Sequence, residues 1–476
     1  MMNSESRPKG PSFAAGCEVD GDATIGGPAA TDPMGVRLVV VKGVGRGRTF
    51  EMTGHQGFLA GRSSRAHLRL PKTDRYASRI HFMIEINPPC CRLVDMGSRN
   101  GTKVNRQRVE CADLHDGDLI QVGRTLLKIS LLGNWDAAQK GIPAASHARP
   151  QPPEAAAGNL ATQTSPMWQE RISPPVPSAP RPIPASQTPA GSRGEGLPSI
   201  PGYRCLRELG RGGMGIVYLA MRKADGGRVA VKTVQPAVGV SPEETQRFLR
   251  EVAILSQLRH PNIVAFHESG EAGGLLFFVM DYVEGTNASQ ILKDQGPWDI
   301  PRAVRLLCQT LAALAYAHER GFVHRDVKPA NLLVGSQDQT ETCTLADFGL
   351  ARMYHASSLS GLTILGDVGG TIPYMAPEQI LDYRHAQPAA DQYAAAATLY
   401  HLLTGQHVYE FEGVSSQFRL SKILCDPAVP IRERRPDVPE RLAQAIHRAL
   451  GKSPDSRFRD VMLFRRALLP FGGEGA

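Results

Sequence analysis

The sequence predicts a multidomain protein: an all-β sandwich and an α+β bilobal domain, joined by a disordered linker. Three observations carry this reading. Between residues 35 and 133, short apolar alternations recur between turn signals. Between 134 and 200, 13 of 67 residues are proline, set among many Ala, Ser, Gln and Thr. Between 203 and 470, strand-like runs come first and long helical patterns follow, which places a small β-rich lobe before a larger helical one.

Taken in order, residues 1–34 are rich in Gly, Ala, Pro and Ser without any period and predict a disordered segment. The runs VRLVVV, IHFMIEI, CRLVDM, DLIQV and LLKISLL then predict the strands of the sandwich over 35–133. The proline-rich stretch 134–200 cannot supply a core and reads as an extended, polyproline-biased linker. No internal repeat is present. In 203–470, VAVKTV and LLFFVMDYV are strand runs separated by a helix. That helix opens on Ser241-Pro242-Glu243-Glu244, an N-cap Ser, a first-turn Pro and a Glu at the third position. Phe248, Val252, Leu255 and Leu258 form its apolar stripe. PRAVRLLCQTLAALAYAHERG, DQYAAAATLYHLLTG and ERLAQAIHRAL predict the helices of the larger lobe.

A chain of 476 residues has room for two or three cores. With 21% charged and 42% hydrophobic residues its bulk is globular and soluble. No apolar run approaches the roughly 20 residues of a membrane span, and the N-terminus lacks the order of a secretion signal. Eight cysteines show no metal spacing, and the adjacent Cys90-Cys91 pair is not a ready bridge, so a cytoplasmic location is expected. Residues 35–133 hold 17 Lys/Arg against 8 Asp/Glu, a balance of +9, while the whole chain stands at +8. The basic charge belongs to the β domain, which is therefore the one expected to meet an anionic partner.

The chemistry concentrates in His324–Asn331, HRDVKPAN, and in Asp347-Phe348-Gly349, whose Asp347 lies sixteen residues after Asn331. These residues supply a proton acceptor (Asp326), an ammonium (Lys328) and two oxygen ligands for Mg²⁺ (Asn331, Asp347), the set phosphoryl transfer needs. Upstream, Gly210–Val217 fits G-x-G-x-x-G-x-V, where missing Cβ atoms let the backbone approach phosphates. Alone that run is a weak signal, shared in part with dinucleotide folds, but strand signals on both sides disfavour the latter. Val229-Ala230-Val231-Lys232 ends an apolar run in a lysine, either a snorkelling edge residue or a phosphate contact. Glu251 sits beside the helix stripe, where a carboxylate needs either water or a partner. Lys232 is the cation expected to pair with it.

This ordered set resembles the eukaryotic-type serine/threonine protein kinase family across 203–470, and GRGGMGIVYLA and YMAPEQ look most like its bacterial members. The resemblance implies ATP and Mg²⁺. It makes Asp326 the group that takes or orients the acceptor hydroxyl proton, Lys328 the stabiliser of the transferring phosphoryl group, and Asn331 and Asp347 the metal ligands. It places Leu209, Gly210, Gly212, Gly213, Gly215, Val217, Ala230, Lys232, Glu251 and Val283 around the nucleotide, with Met280 as gatekeeper. Lys328, two residues after Asp326, is the form associated with Ser/Thr acceptors. His324 is given a packing role beside Phe348, and Thr371 is expected to hydrogen-bond Asp326 and Lys328. Glu378 is expected to pair with Arg457, and Asp391 to brace the catalytic loop. Thr363 resembles the regulatory phosphosite, with Ser357, Ser358 and Ser360 as weaker candidates and Arg325 as the cation for its phosphate. Two departures are Ile372 before Pro373 and the Ala-rich ADQYAAAATLY helix; neither removes a reacting group.

In the β domain, four signals fall in order: Gly61-Arg62-Ser63, Ser78-Arg79-Ile80-His81, Leu93-Val94-Asp95 and Ser98–Thr102. They resemble the forkhead-associated (FHA) domain, a sandwich that binds phosphothreonine peptides through its loops. Arg62 and Ser78 would hold the phosphate with help from Arg79, Asn100 would clamp the peptide main chain, and His81 would buttress the Ser78 loop. The plain alternative is a sandwich whose Asn-Gly is a hairpin turn. Nucleic acid is not expected, because the loops lack interleaved aromatics.

Two other readings stand beside the kinase: a catalytically weak kinase-fold scaffold that mainly binds phosphopeptides, and a small-molecule phosphotransferase, which the Ala376-Pro377-Glu378 platform disfavours. Protein Ser/Thr substrates and phosphothreonine peptides are the expected partners. Thr162, Thr164 and Thr188 offer phosphorylatable linker sites. The FHA-like domain could capture a phosphothreonine in its own linker, in a second copy as a transient dimer, or in a substrate, and substrate or trans capture is the expectation.

Overall fold

A computed structural model of the chain describes residues 34–54, 56–88, 90–133, 135, 197–212, 215–236, 242–337, 340–348, 370–383 and 385–473. The N-terminal segment and almost all of the linker, with Thr162, Thr164 and Thr188, lie outside the described residues, as do Gly213, Ser241, Gly349 and Thr363.

The first domain is a two-sheet sandwich. Its strands are β1 (Gly35–Lys42), β2 (Thr49–Thr53), β3 (Gln56–Gly61), β4 (Leu68–Arg69), β5 (Phe82–Asn87), β6 (Cys90–Asp95), β7 (Thr102–Val104), β8 (Gln107–Val109), β9 (Cys111–Asp113), β10 (Leu119–Val122) and β11 (Thr125–Leu132). One sheet runs β2-β1-β11-β10-β7-β8 and the other β4-β3-β5-β6-β9. Alternation along the strands builds the core. Leu38 and Val40 of β1 and Leu127 and Ile129 of β11 meet Phe58, Ala60, Phe82 and Ile84 of the second sheet in one buried cluster. β3 and the short strands β2, β4, β7, β8 and β9 were not among the runs read from the sequence; β4, β7, β8 and β9 hold only two or three residues, too few turns of the pleat to show alternation.

The second domain begins with a five-stranded antiparallel sheet of β12 (Tyr203–Gly212), β13 (Gly215–Arg222), β14 (Arg228–Val234), β15 (Phe266–Ala272) and β16 (Leu275–Asp281), in the order β12-β13-β14-β16-β15. Helix α1 (Pro242–Ala253) packs on it and continues as a 3₁₀ turn, Ile254–Gln257. The larger lobe holds β17 (Thr286–Asn287), α2 (Ala288–Gln295), α3 (Ile300–Glu319), β18 (Leu332–Gln337), β19 (Thr340–Leu345), α4 (Pro377–Leu381), α5 (Pro388–Thr404), α6 (Ser416–Cys425), α7 (Ile431–Arg434), α8 (Glu440–Ala449) and α9 (Val461–Leu468). Asp299 caps α3 by accepting from the Arg302 amide, and Pro301 occupies the first turn. The Ala-rich α5 is buried on every side, from Ala390 to Leu403 with one exception, and packs against α3, α8 and α9. A helix apolar all round belongs inside a core, and its alanines let the neighbours close in. Arg457, almost fully buried, forks onto both Glu378 oxygens at 2.6 and 2.7 Å and also donates to Ala389 and Gly451 carbonyls. No helix among the described residues is long and apolar enough to cross a membrane.

The sandwich sits against the large lobe. Gly57 of β3 abuts the Leu381 backbone of α4, where a Cβ would come within 2.9 Å of the Leu381 carbonyl oxygen. Gly97, with φ of +70°, lies under the Phe418 ring of α6. Arg79 pairs with Asp426 at 2.7 Å, and the Ser63 side chain hydrogen-bonds Cys425.

The buried Tyr374 and two half-buried histidines tie the segment before α4 to α5: the Tyr374 hydroxyl lies 2.6 Å from His401 Nδ1, and the His401 and His407 rings are 4.3 Å apart. Burial pushes both imidazoles down to about 4, with the facing His407 adding to the effect on His401 and Arg419 and Arg434 adding to that on His407. The unfolded rings titrate near 6.5, so between about pH 6.5 and 4 the unfolded chain binds more protons than the folded one. Stability is therefore full above pH 6.5 and is expected to fall on acidification, by up to about 1.4 kcal/mol per pH unit for each ring. Urea denaturation across this range should show that slope, and His407→Gln should flatten it.

Candidate active site

The cleft between the lobes has a volume of about 780 Å³ and is lined by Leu209, Gly210, Gly212, Gly215, Val217, Ala230, Lys232, Met280, Val283, Asp326, Lys328, Asn331, Leu333 and Asp347. The β12–β13 hairpin forms its roof. At Gly210 and Gly212 an added Cβ would meet open space, so these positions leave the hairpin's inner side bare. Gly215 is different: with φ of +143°, its Cβ would fall 1.9 Å from the Thr233 carbonyl oxygen, so only glycine lets β13 lie this close to β14.

The catalytic loop is held from below by one carboxylate. Asp391 of α5, fully buried, accepts the His324 amide at 2.8 Å, the Arg325 amide at 2.7 Å and His318 Nε2 at 2.8 Å. Arg325 takes a left-handed conformation, φ +68°, which a non-glycine residue adopts at a cost of order 1–3 kcal/mol. Its guanidinium donates to the Ala386 carbonyl. His324 donates from Nε2 to the Ala346 carbonyl and packs edge-on against Phe348 at 4.6 Å, so it positions the loop rather than facing the cleft.

Above this base, four side chains interlock. Asp326 Oδ1 accepts the Thr371 hydroxyl at 3.0 Å, and its Oδ2 lies 2.9 Å from Lys328 Nζ. Lys328 donates to Thr371 Oγ1 at 2.8 Å. Asn331 Nδ2 donates to the Asp326 main-chain oxygen at 2.8 Å and its carboxylate at 3.1 Å. Opposite them Lys232 Nζ lies 2.8 Å from Asp347 Oδ2. Burial raises the Asp347 carboxyl, but Lys232, with Lys328 and His324 behind it, outweighs that and holds it below the usual carboxylate range.

One expected partner is elsewhere. Glu251 does not meet Lys232; it pairs with Arg247 at 3.4 Å and its side chain is half-exposed. The buried face of α1 is Thr245, Phe248, Leu249 and Val252. At about 100° per residue, Glu251 lies roughly a quarter-turn or more off the centre of that face. The stripe read from the sequence omitted Thr245 and Leu249, which pull the face away from Glu251, and Asp347 takes the lysine instead.

On the sandwich, the Arg62 amide donates to the Ser78 carbonyl at 3.0 Å and the Ser63 amide to that of Arg79 at 2.8 Å, so the two loops run side by side. Gly61 permits this: its Cβ would lie 2.2 Å from the Arg79 carbonyl oxygen. His81 accepts the Ser78 amide at 3.0 Å and bridges to the Gly101 carbonyl at 3.2 Å. The Ser78 hydroxyl accepts the Arg99 amide, and Asn100 donates to the Tyr76 carbonyl. Arg62 donates from Nη1 to the Lys72 carbonyl, while its buried Nε has no hydrogen-bond partner among the described residues. The Arg79 guanidinium is engaged across the domain contact. Docking brings the Asp426 carboxylate within reach, and the guanidinium pairs with it.

Sequence reading gave no role to Asp95, which accepts the amides and hydroxyls of both Ser98 and Thr102 and so shapes the Ser98–Thr102 loop. An acid at a strand end, three residues before a serine, was the available signal. His318 and Asp426 carried none.

A fold of this kind, a five-stranded lobe over a helical lobe with an Asp–Lys–Asn loop between them, defines a phosphotransferase class. The chain belongs to the protein kinase domain family, which it matches over residues 203–465, and residues 58–123 match the FHA domain. It is 38% identical over 270 residues to the serine/threonine-protein kinase PknF of Mycobacterium tuberculosis, covering 56% of each chain. To PknD of the same organism it is 40% identical over 261 residues, 54% of this chain and 37% of that one. A crystal structure of the M. tuberculosis PknI kinase domain is 31% identical and superposes with a TM-score of 0.45, covering 57% of this chain and 97% of that one. The chain spans about half the length, or less, of these curated relatives.

The Thr371 hydroxyl joins Asp326 to Lys328. Thr371→Val keeps the side-chain shape and removes both bonds, and is expected to lower phosphoryl transfer by about 10-fold or more with little change in melting temperature. Steady-state kinetics paired with thermal unfolding checks this.

Proposed function

We propose that the chain is an ATP-dependent serine/threonine protein kinase that transfers the γ-phosphoryl group to protein Ser/Thr hydroxyls, and that its FHA domain recruits phosphothreonine partners. The observation that carries the reading is the convergence of Asp326, Lys328, Asn331, Asp347 and Lys232 on one cleft beneath a glycine hairpin.

The residues fit ATP with Mg²⁺. Val217, Ala230, Met280 and Leu333 supply apolar walls for a planar base, and Gly210 and Gly212 leave space for phosphates. Asn331 and Asp347 offer oxygen donors suited to a hard cation. Asn331 already commits its amide nitrogen to Asp326, which leaves its oxygen as the ligand atom. When bound, the cation neutralises phosphate charge. The protein's own groups do the rest. Asp326, held by Thr371 and Asn331, orients the acceptor hydroxyl and accepts its proton. Lys328 and Lys232 stabilise negative charge on the phosphates. This reading places the protein in the ATP-rich cytoplasm.

Arg62 supports the second half. A buried guanidinium nitrogen without a hydrogen-bond partner among the described residues, next to the Ser78 loop, suits a phosphate that completes its bonds.

Asp326→Asn and Asp347→Asn are each expected to lower γ-phosphoryl transfer to a protein substrate by at least about 10²-fold. Near-wild-type rates in both would leave the scaffold reading in its place. In the full chain, Arg62→Ala should weaken binding of a phosphothreonine peptide by about 10-fold or more, with the unphosphorylated peptide bound weakly by both proteins. Fluorescence anisotropy reads this, and equal affinity for the two peptide forms would defeat the phosphothreonine assignment.

A further inference from the structure

Part of the outer face of the β3–β5 pair is covered rather than open to water. Leu59 and Met83 alternate with core residues and so point away from the sandwich interior, yet both are fully buried. With Ile80 and Met96 they join an apolar cluster that includes Ile380, Leu420 and Leu424 of the large lobe, not the core of their own domain. Alone, the sandwich would leave this patch in water, and contiguous exposed apolar surface marks an interaction site. Gly57 against Leu381 and Gly97 under Phe418 fix the closeness of the contact.

The contact falls beside the chemistry. Gln56, Met83 and Asn87 line the same cleft as Asp326, Lys328 and Thr371, together with Asp382 and Tyr383 next to α4. The sandwich thus stands across the side of the cleft from which a protein hydroxyl must reach Asp326. Arg79 connects this contact to the phosphate-reading loops. It adjoins Ser78 in sequence and pairs with Asp426 at 2.7 Å. A phosphothreonine dianion held by Arg62 and Ser78 attracts the same guanidinium and meets Asp426 as a like charge. Lys422, 3.4 Å from Asp426, can keep that carboxylate paired after release.

We propose that the docked sandwich is a cover that excludes protein acceptors, and that a phosphothreonine ligand competes with the large lobe for it, so that ligand binding opens the cleft. The inference rests on the phosphothreonine reading above. By linkage, the factor by which docking weakens the ligand is the factor by which the ligand weakens docking.

The test uses the full chain, a fluorescent peptide carrying phosphothreonine in the sequence around Thr188, and an unphosphorylated Ser/Thr acceptor peptide. Phe418→Glu disrupts the contact away from the catalytic and phosphate-reading residues. It should bind the phosphopeptide about tenfold tighter than wild type. Saturating phosphopeptide should raise acceptor phosphorylation about fivefold in wild type and leave Phe418→Glu unchanged. Independently, Ser63→Cys faces the native Cys425 thiol. Oxidation should lock the cover and slow acceptor phosphorylation, and reductant should restore it. Equal phosphopeptide affinity in wild type and Phe418→Glu, with oxidised and reduced Ser63→Cys equally active, would overturn the cover while the phosphothreonine reading stands. Absence of phosphopeptide binding in both chains would overturn that reading and the competition with it.

Discussion

The buried carboxylate of Asp391 is the constraint on which the active site depends. It is fully excluded from water and accepts two consecutive main-chain amides and one imidazole. A carboxylate in that position is tolerated only when its oxygens are bonded, and removing its partners would leave a charge stranded in the core. Those bonds hold Arg325 in a left-handed conformation that the chain would otherwise abandon. The next residue is Asp326, so the direction of the reacting carboxylate is set by a residue 65 positions later in sequence.

The helix that carries Asp391 is suited to this task. Ala394 to Ala397 present little bulk, so α5 can run through the middle of the large lobe with neighbours on all sides. Its end is fixed to the segment before α4 through Tyr374, His401 and His407, and its beginning to Arg457 through the Ala389 carbonyl. The catalytic loop and the segment carrying Thr371 therefore share one rigid support, and Thr371 can meet Asp326 and Lys328 without either loop being ordered by ligand.

The sandwich uses the same economy of backbone. Gly61 and Gly57 are adjacent to opposite functions: the first lets the Arg62 and Ser78 loops run together, and the second lets β3 approach the kinase lobe. Arg79 stands where these two surfaces meet. The pairing with Asp426 is partly solvent-exposed and contributes little stability by itself; the apolar cluster supplies the contact, and the charge pair makes it sensitive to an anion.

Much of this was legible in the sequence. Strand alternation and the order of elements defined both domains, because periods of 2 and 3.6 residues are local properties. HRDVKPAN and Asp347 stood out because phosphoryl transfer restricts residue type at short spacing, and the packing of His324 on Phe348 and of Glu378 on Arg457 agrees with the reading. Other features depended on distance in space. The partner of Lys232 was decided by the angular position of Glu251 on α1, which two further buried residues shifted. Arg79 was read as an aid to phosphate binding from its place beside Ser78; that its guanidinium also meets Asp426 of the other domain had no signal in the sequence. What covers Met83 and Leu59 had no signal in the sequence. The sequence by itself determined which groups can react and which faces are apolar, since those follow from residue chemistry and local period. Only the tertiary structure decided which charge meets which and what covers an apolar face, because those depend on contacts between segments far apart in the chain, as Lys232–Asp347 and Arg79–Asp426 are.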